Sequence, residues 1–263
     1  MNSRQITEQA QYLDRAMQEG REVERITATY PELTLEDAYL IQDEGISLRQ
    51  ARGETLTGFK VGLTSRAKRE QMKLFSPIYG VLTDRMQTPA SGTLSLQGSI
   101  HPKIEPEIAF RVGRELKGSI SLEQAWDACT AIFPALEILD SRFVGFKYFS
   151  LPDVVADNSS SSRFHLGPAV DKSELSPQAL AELKIDMTVD GQTVQTALSS
   201  EISGNPLQSI VQLCELLALR GLSLPAGSIV LAGAATLAVP LIAGQKVAIK
   251  IERLGETTVS VVT

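Results

Sequence analysis

The sequence predicts an α+β protein in which a small helical N-terminal unit, residues 1–55, precedes a β-rich domain, residues 56–263. Apolar residues recur at helical spacing in the first fifty residues. Short runs of alternating apolar residues dominate the rest of the chain, with few helical stretches between them. The pair Asp190-Gly191 joins two such runs and is typical of a tight β-hairpin turn.

Two helices are predicted in the N-terminal unit. The first covers residues 5–20 and ends at Gly20, because glycine readily adopts the left-handed conformation that closes a helix. The second begins at Thr34, whose hydroxyl can form a capping box with Asp37, and it extends to about Arg52.

The β-rich domain is predicted to contain many short strands and few helices. Helices are expected near residues 122–131 and 207–219, with a charged helical turn over residues 64–72 and an ordered polar loop over the serine-rich residues 158–163. Strands are expected at residues 57–63, 78–82, 102–112, 133–139, 183–189, 192–197, 229–232, 246–253 and 257–262.

Composition excludes several classes of protein. Hydrophobic residues make up 43% and charged residues 21%, which is typical of a soluble globular protein, and the formal net charge of −6 argues against nucleic acid as a partner. The N-terminus lacks a signal-peptide pattern, and no apolar stretch is long enough to span a membrane. Cys129 and Cys214 lie in apolar, helix-like stretches and are predicted to be reduced and buried, so we expect a cytoplasmic protein.

Three acidic residues in otherwise apolar segments are the strongest functional signal. Glu105 and Glu107 lie two apart in a predicted strand, so their side chains point to the same face, and Glu137 lies in the next predicted strand. Clustered carboxylates repel one another unless a cation binds them, and oxygen ligands favour Mg²⁺ or Mn²⁺. The alternative is that the doublet lies on the solvated face of its strand, as such pairs usually do.

Several polar residues are candidates for a substrate pocket. Lys60 lies in an apolar strand with glycines, where it would bind an anion or hold a proton, unless it is an edge lysine that reaches solvent. Arg142 would form a fork to a carboxylate or pair with Asp140 at the surface. Further candidates are Thr64, Ser65, Ser141, Asn158 and Thr236.

Other chemistries find little support. The chain has two histidines and no convincing Cys–His or Ser–His–Asp arrangement, and it has no phosphate-binding loop or Gly-x-Gly-x-x-Gly motif. Nicotinamide, flavin, ATP and serine-hydrolase chemistry are therefore not expected.

Taken together, the motifs are similar to those of a known family. The chain resembles the fumarylacetoacetate hydrolase superfamily over almost its whole length, and within it the hydratase/decarboxylase branch of catechol meta-cleavage pathways. The matching segments begin at Tyr30 and include Lys60-Val-Gly-Leu-Thr-Ser65, Pro77-Ile-Tyr-Gly80, His101-Pro-Lys-Ile-Glu-Pro-Glu-Ile108, Asp140-Ser-Arg142, Val154-Val-Ala-Asp-Asn158 and Pro225-Ala-Gly227.

The resemblance implies a mixed β-roll core that binds Mg²⁺ or Mn²⁺ through Glu105, Glu107 and Glu137, with Lys60 in the substrate pocket. It implies a homo-oligomer, which would also associate with the sister hydratase. One position departs from the family pattern, because Asn205 stands where relatives often have histidine in Gly-His-Pro, and we interpret Asn205 as structural.

Two lyase activities occur on this scaffold, and the residues favour one of them. The predicted reaction is decarboxylation of 2-oxohex-3-enedioate, a small dicarboxylate 2-oxo acid, to 2-hydroxypenta-2,4-dienoate and CO₂. Hydration of 2-hydroxypenta-2,4-dienoate is the alternative, but such hydratases tend to carry an Asp where this chain has Ile78, and Ile78 cannot activate water. Decarboxylation instead benefits from a dry pocket.

Two further hypotheses about the function remain open. The chain would be a C–C hydrolase of an acylpyruvate only if it supplied a His–Glu pair to activate water, and no His-x-x-Glu spacing is present. The other hypothesis is that the chain is a non-catalytic partner subunit of the hydratase, although the presence of all three glutamates argues against a purely structural role.

Overall fold

A computed structural model of the chain describes residues 1–64, 77–146 and 150–263, and its mixture of helices and sheets confirms the predicted α+β class. Within these residues the helices are α1 (Ser3–Glu19), α2 (Ile26–Thr29), α3 (Leu35–Ala51), α4 (Leu122–Ala128), α5 (Leu151–Ala156) and α6 (Gln208–Ala218). The strands are β1 (Leu56–Gly62), β2 (Ile78–Thr83), β3 (Thr93–Ser95), β4 (Lys103–Val112), β5 (Cys129–Leu139), β6 (Ser161–Leu166), β7 (Lys184–Val189), β8 (Gln192–Leu198), β9 (Ile229–Ala234), β10 (Val239–Pro240), β11 (Lys246–Ile251) and β12 (Gly255–Val262).

The two long N-terminal helices form where their capping residues predict them. Gly20 ends α1 in the left-handed conformation, and Thr34 and Asp37 form the predicted capping box at the start of α3. Arg52 binds Asp14 through two hydrogen bonds of 2.7 Å and thereby ties the end of α3 to α1. None of the described helices is long and apolar enough to cross a membrane.

The strands form two mixed sheets in the described part of the chain. The larger has the order β2-β1-β9-β4-β5-β6, with β10 added beside β4, and the smaller has the order β3-β12-β11-β7-β8. Most neighbours are antiparallel, but β1 runs parallel to β9 and β3 runs parallel to β12. The turn at Asp190-Gly191 joins β7 to β8, as the sequence predicts.

The larger sheet separates two environments. Along β4 and β5, one set of alternating residues, including Ile108 and Leu136, joins the main apolar core with the helices and the smaller sheet. The opposite set, including Ala109 and Phe133, forms a smaller apolar cluster with Phe164 of β6. Glu105, Glu107 and Glu137 belong by alternation to this second face.

The N-terminal helices share the main core with the strands. Gln42 of α3 donates to the carbonyl oxygens of Tyr79 and Val155, both at 3.1 Å, and Thr27 contacts the carboxylate of Asp153 at the start of α5. The division of the chain at residue 55 remains a prediction.

Some elements differ from the sequence prediction. The helix expected over residues 122–131 ends at Ala128, and Cys129 begins β5, because the following residues are β-branched or aromatic and pair with β4. The expected loop over residues 158–163 contains only a short turn, and β6 begins at Ser161. No sequence pattern predicts α2, α5, β3 or β10. The helical turn predicted over residues 64–72 lies outside the described residues apart from Thr64.

A buried histidine links the two sheets. His165 of β6 is only 3% exposed, and its Nδ1 lies 2.7 Å from Oγ1 of Thr88. Its Nε2 lies 2.9 Å from Oγ1 of Thr257, which belongs to β12 of the smaller sheet. Both hydroxyls satisfy a neutral imidazole, because each can donate or accept.

This burial predicts a pH-dependent stability. Burial lowers the pKa of His165 below its ordinary value of 6.5. Above about pH 6.5 the imidazole is neutral in both states and contributes nothing, whereas below it the unfolded chain binds a proton that the folded protein does not. We therefore expect the free energy of unfolding to fall as the pH is lowered from about 7.5 to 5.5. Urea denaturation across this range measures the effect.

The His165→Gln variant should lose this part of the pH dependence, whereas His101→Gln, which retains His165, should keep it. Equal pH slopes for the wild type and His165→Gln would refute the interpretation.

Candidate metal centre and substrate pocket

The register of β4 and β5 brings the three glutamates together. Glu105 is directly opposite Glu137 in the antiparallel ladder, and Glu107 lies one pleat further along the same face. One carboxylate oxygen from each residue can be chosen so that all three lie within 4.8 Å of one another. The side chains of Glu107 and Glu137 are almost completely buried, and Glu105 is partly buried.

Glu107 is in an environment that disfavours an isolated negative charge. Burial raises its pKa well above the ordinary value, and the charges of Glu137 and Glu105 raise it further. Oε2 accepts a hydrogen bond of 2.8 Å from the N–H of Gly233, but the buried Oε1 has no hydrogen-bond partner among the described residues. A cation is the missing partner that this arrangement predicts.

Lys60 lies beside the carboxylates, which is one of the two positions that the sequence left open. Its Nζ is 3.1 Å from Oε1 and 3.4 Å from Oε2 of Glu137, and only the contact to Oε2 has hydrogen-bond geometry. Lys60 is 4% exposed, so it is not an edge lysine that reaches solvent. Strand β1 pairs with β9, which in turn pairs with β4, and this sheet order carries Lys60 toward the glutamates.

Gly233 is a site residue that the sequence did not reveal as such. It has a φ of +102°, and a Cβ at this position would lie 2.4 Å from Oγ1 of Thr64 and 2.9 Å from the carbonyl oxygen of Val61. The absence of a side chain therefore lets β9 approach β1 closely while its N–H points at Glu107. Thr64 is buried and lies against Gly233, which donates to Glu107.

Ile78 and Gly80 of β2 form the wall beside Lys60. Ile78 is directly opposite Gly62, and Gly80 is directly opposite Lys60, so all four residues share one face. A Cβ on Gly80 would lie 2.6 Å from Oγ of Ser161 and 3.3 Å from Cγ of Lys60. The position of Ile78 gives the pocket an apolar wall close to the ammonium group.

The serine-rich segment forms a tight buried turn against β2. Asn158, Ser159 and Ser160 all have left-handed φ values, between 48° and 58°. The side chain of Asn158 bonds to the N–H of Val81 at 2.8 Å and to its carbonyl oxygen at 2.9 Å, so its amide is engaged in holding the turn.

Two hydroxyls in this turn are potential ligand contacts. Oγ of Ser160 and Oγ of Ser161 are buried and have no hydrogen-bond partner among the described residues. The sequence indicated a polar segment here, but no local pattern distinguishes these two serines from their neighbours.

Arg142 is not directed at the carboxylate cluster. Its guanidinium group forms an ion pair with Asp157 and also donates to the carbonyl oxygens of Asp140 and Asp157. Its backbone N–H donates to Oδ2 of Asp157 at 3.1 Å, so the whole residue is anchored to the start of the serine-rich turn. Ser141 is buried, and its hydroxyl accepts a hydrogen bond from the N–H of Phe143.

The remaining candidates have varied positions. Thr236 lies in the turn after β9, two residues beyond Ala234, which pairs with Glu107, and its hydroxyl donates to the carbonyl oxygen of Leu237 at 3.3 Å. Ser65 lies outside the described residues. The amide of Asn205 donates to the carbonyl oxygen of Pro177 and accepts from the N–H of Leu207, which is a structural arrangement before α6.

The donor set fits a hard divalent cation. The three candidate ligands are carboxylates, and no histidine or cysteine is grouped with them among the described residues, which favours Mg²⁺ or Mn²⁺ over zinc. If all four groups are ionised, three glutamates and one lysine leave a formal charge of −2 that a divalent ion balances. The orphaned Oε1 of Glu107 independently indicates the same kind of ligand.

Comparison with known proteins agrees with this fold. The model of the fumarylacetoacetate hydrolase C-terminal domain matches residues 59–262. A 4-oxalocrotonate decarboxylase from Pseudomonas sp. is 40% identical over 255 residues, which is 97% of each chain. A 2-hydroxyhexa-2,4-dienoate hydratase from Comamonas testosteroni is 33% identical over 98% of each chain.

A solved structure is similar over the same length. The 4-oxalocrotonate decarboxylase from Pseudomonas putida G7, complexed with magnesium and adipate, matches with a TM-score of 0.95 and 34% identity, covering 100% of this chain and 99% of that chain.

The chain therefore belongs to the fumarylacetoacetate hydrolase family. Within that family it resembles the hydratase/decarboxylase branch over nearly its full length, as the sequence motifs predict. The likeness to the solved decarboxylase also confirms the predicted β-roll core with a helical N-terminal segment.

Gly233 provides a test of how the site is supported. We expect Gly233→Ala to destabilise the fold by about 2 kcal/mol or more, because the added Cβ meets both an unfavourable φ and the backbone of β1. Gly204→Ala is a matched control, since Gly204 also has a positive φ but no atom within 4 Å of the added Cβ. The Gly204→Ala substitution should lower the free energy of unfolding by only about 1–2 kcal/mol.

Urea denaturation of metal-free protein measures both losses. Magnesium affinity should fall in Gly233→Ala alone, because only this substitution displaces the N–H that orients Glu107. Equal effects of the two substitutions would contradict the proposed role of Gly233.

Proposed function

We propose that this chain is a Mg²⁺- or Mn²⁺-dependent carboxy-lyase that converts 2-oxohex-3-enedioate (4-oxalocrotonate) to 2-hydroxypenta-2,4-dienoate and CO₂, a step in aromatic meta-cleavage catabolism. The observation that carries the proposal is the buried group of Glu105, Glu107 and Glu137 with Lys60 against it. Similarity to 4-oxalocrotonate decarboxylases over nearly the whole chain supports the choice of substrate.

The reaction requires a place for an electron pair. When the C5–C6 bond of the substrate breaks, its electrons move through the C3–C4 double bond toward the oxygen on C2, and one proton must then be added to give the enol product. A divalent ion held by the three glutamates would supply the electron sink by attracting charge to that oxygen.

The chain's own residues contribute position, charge and exclusion of water. Lys60 Nζ, held within 3.4 Å of both oxygens of Glu137, places a cation beside the metal ligands where it would orient the anionic substrate or hold a proton. Ile78 gives this wall of the pocket an apolar surface, which disfavours solvation of the carboxylate that leaves as CO₂. The hydroxyls of Ser160 and Ser161 are available to accept or donate hydrogen bonds to the substrate.

Hydration of 2-hydroxypenta-2,4-dienoate is the second candidate, because hydratases are also similar to this chain over nearly its full length. Addition of water needs a polar group that orients and activates it, and the buried, apolar Ile78 cannot do this. We therefore favour decarboxylation. A non-catalytic role beside the hydratase is the third candidate, and CO₂ release by the purified chain alone would exclude it as the sole role.

Loss of a single ligand tests the metal centre. We expect Glu107→Gln to lower Mg²⁺-dependent CO₂ release by about a thousandfold or more, because weaker metal binding removes several kcal/mol of transition-state stabilisation. The measurement is the rate of CO₂ release from 2-oxohex-3-enedioate at a fixed Mg²⁺ concentration that just saturates the wild type.

The matched control is Glu32→Gln, which neutralises an exposed glutamate and should leave the rate unchanged. Full activity of Glu107→Gln would refute the assignment of this residue as a metal ligand.

Ile78 tests the choice between the two lyase reactions. We expect Ile78→Asp to slow CO₂ release by about tenfold to a hundredfold, because a carboxylate at this position would compete for the Lys60 ammonium group and admit water. Ile78→Val preserves the apolar surface and should stay within about threefold of the wild type. Assays of CO₂ release and of water addition to 2-hydroxypenta-2,4-dienoate distinguish the outcomes, and rapid hydration by the wild type would favour the hydratase.

We also propose that the chain forms a homo-oligomer and associates with a sister hydratase. The similarity to both kinds of enzyme supports such a partnership, since one would supply the substrate of the other. Light scattering of the chain, alone and mixed with a purified hydratase, measures both associations, and a monomer that remains unchanged in the mixture would refute them.

A further inference from the structure

A polar cavity lies on the other side of β5 from the glutamates. Its volume is about 270 Å³, and it lies between the end of α1, the end of α3, the turn after β2 and the start of β6. Arg163 in its wall pairs with Ile138, whose side chain points away from the face that carries Glu137. None of the three glutamates lines this cavity, and neither does Lys60. We call it the arginine cavity.

Most of the charged side chains in the lining of this cavity are arginines. Arg49, Arg85, Arg142 and Arg163 face two carboxylates, those of Glu54 and Asp140. The formal charge of the lining is therefore +2, and it stays positive when Asp157, the ion-pair partner of Arg142, is counted as well.

Arg49 is poorly compensated in this environment. It is 8% exposed, and the contacts of its guanidinium group within the described residues are a hydrogen bond to the sulfur of Met17 and an approach of 3.9 Å to Glu54. A thioether is a weak acceptor, and the Glu54 carboxylate is already bound by the hydroxyl of Thr83 at 2.6 Å. Burial lowers the pKa of Arg49 to about 10, and the charge of Arg142 lowers it further.

The other arginines differ in how much of their hydrogen-bonding capacity is free. Arg142 is saturated by Asp157 and by backbone carbonyl oxygens, so it contributes charge rather than a binding fork. Arg163 makes one long contact of 3.5 Å to the carbonyl oxygen of Gln97. Arg85 is exposed and donates to the carbonyl oxygen of Arg52, which places it at the mouth. Donors are thus available both at the buried end and toward the opening.

We propose that the arginine cavity binds a small dicarboxylate anion, with one carboxylate held by Arg49 and the other by Arg163. A guanidinium group binds a carboxylate through two parallel hydrogen bonds, and a buried cation with a sulfur atom as its hydrogen-bond acceptor gains most from such a partner. The volume exceeds what a single tetrahedral oxyanion needs, and the two forks lie on different elements, α3 and β6. This site is independent of the metal centre and of the proposed lyase reaction.

Titration calorimetry with succinate tests the proposal on the full chain. The protein is stripped of metal with a chelating resin and kept in dilute Tris buffer, so that dicarboxylate binding at the metal centre does not contribute. We expect saturable binding of one succinate per chain. Arg49→Met and Arg163→Gln should each weaken it at least tenfold, whereas Arg114→Gln, a control at an exposed arginine outside the cavity, should leave it unchanged.

Each alternative result has a definite meaning. Absence of saturable binding up to about 10 mM succinate would overturn the proposal. So would unchanged affinity in Arg163→Gln, which alters a partly exposed residue and does not depend on whether Arg49→Met folds. Inorganic phosphate that binds as tightly as succinate would overturn the assignment to dicarboxylates.

Discussion

The mutual repulsion of three carboxylates on two neighbouring strands is the constraint around which this structure is arranged. Antiparallel pairing of β4 with β5 fixes Glu105 opposite Glu137, and the pleat places Glu107 on the same face, so the three side chains start from neighbouring positions while the ladder is intact. The fold counters the repulsion with two built-in groups, the N–H of Gly233 and the ammonium group of Lys60. Both come from strands β9 and β1, which explains why these two strands must approach closely enough to require glycine at residue 233.

Strand β5 separates regions of opposite charge. One face carries the three glutamates, and behind it four arginines, two of them buried, leave a positive cavity. At the proposed site an anionic substrate would approach the carboxylates favourably only after a cation neutralised them, so metal binding and substrate binding would be coupled electrostatically. The arginines also anchor structure, because the Arg142–Asp157 pair holds the segment that leads into the left-handed turn at residues 158–160.

Local patterns in the sequence predicted much of this arrangement. The two-residue spacing of Glu105 and Glu107, with apolar flanks, identified a strand with a shared face, and the capping residues identified where α1 ends and α3 begins. The apolar segments around Glu137 and Lys60 made both residues candidates, and the resemblance to a family supported their assignment to a metal site and a substrate pocket. Their proximity, however, depends on sheet order, which no local pattern encodes.

Other features depend on contacts between distant segments. Gly233 was invisible because its requirement for a missing Cβ arises from Thr64 and Val61, far away in the chain. Neither predicted partner of Arg142 was right, because the buried Asp157 binds it rather than a substrate carboxylate or Asp140 at the surface. Only the folded chain brings the serine-rich turn against the end of β5. Strand β6 was missed because it begins within a run of serines, and such runs are typical of loops.

The parallel pairing of β1 with β9 has a consequence for the order in which the protein forms. Residues 58–60 are made early during synthesis, yet their partners, residues 229–231, leave the ribosome only when most of the chain has been translated. Pairing over so long a loop is slow, because closing the loop costs entropy before any contact compensates for it. Lys60 can therefore meet the glutamates only late in folding, and a nascent chain would not yet have the complete cluster of three carboxylates and one ammonium group.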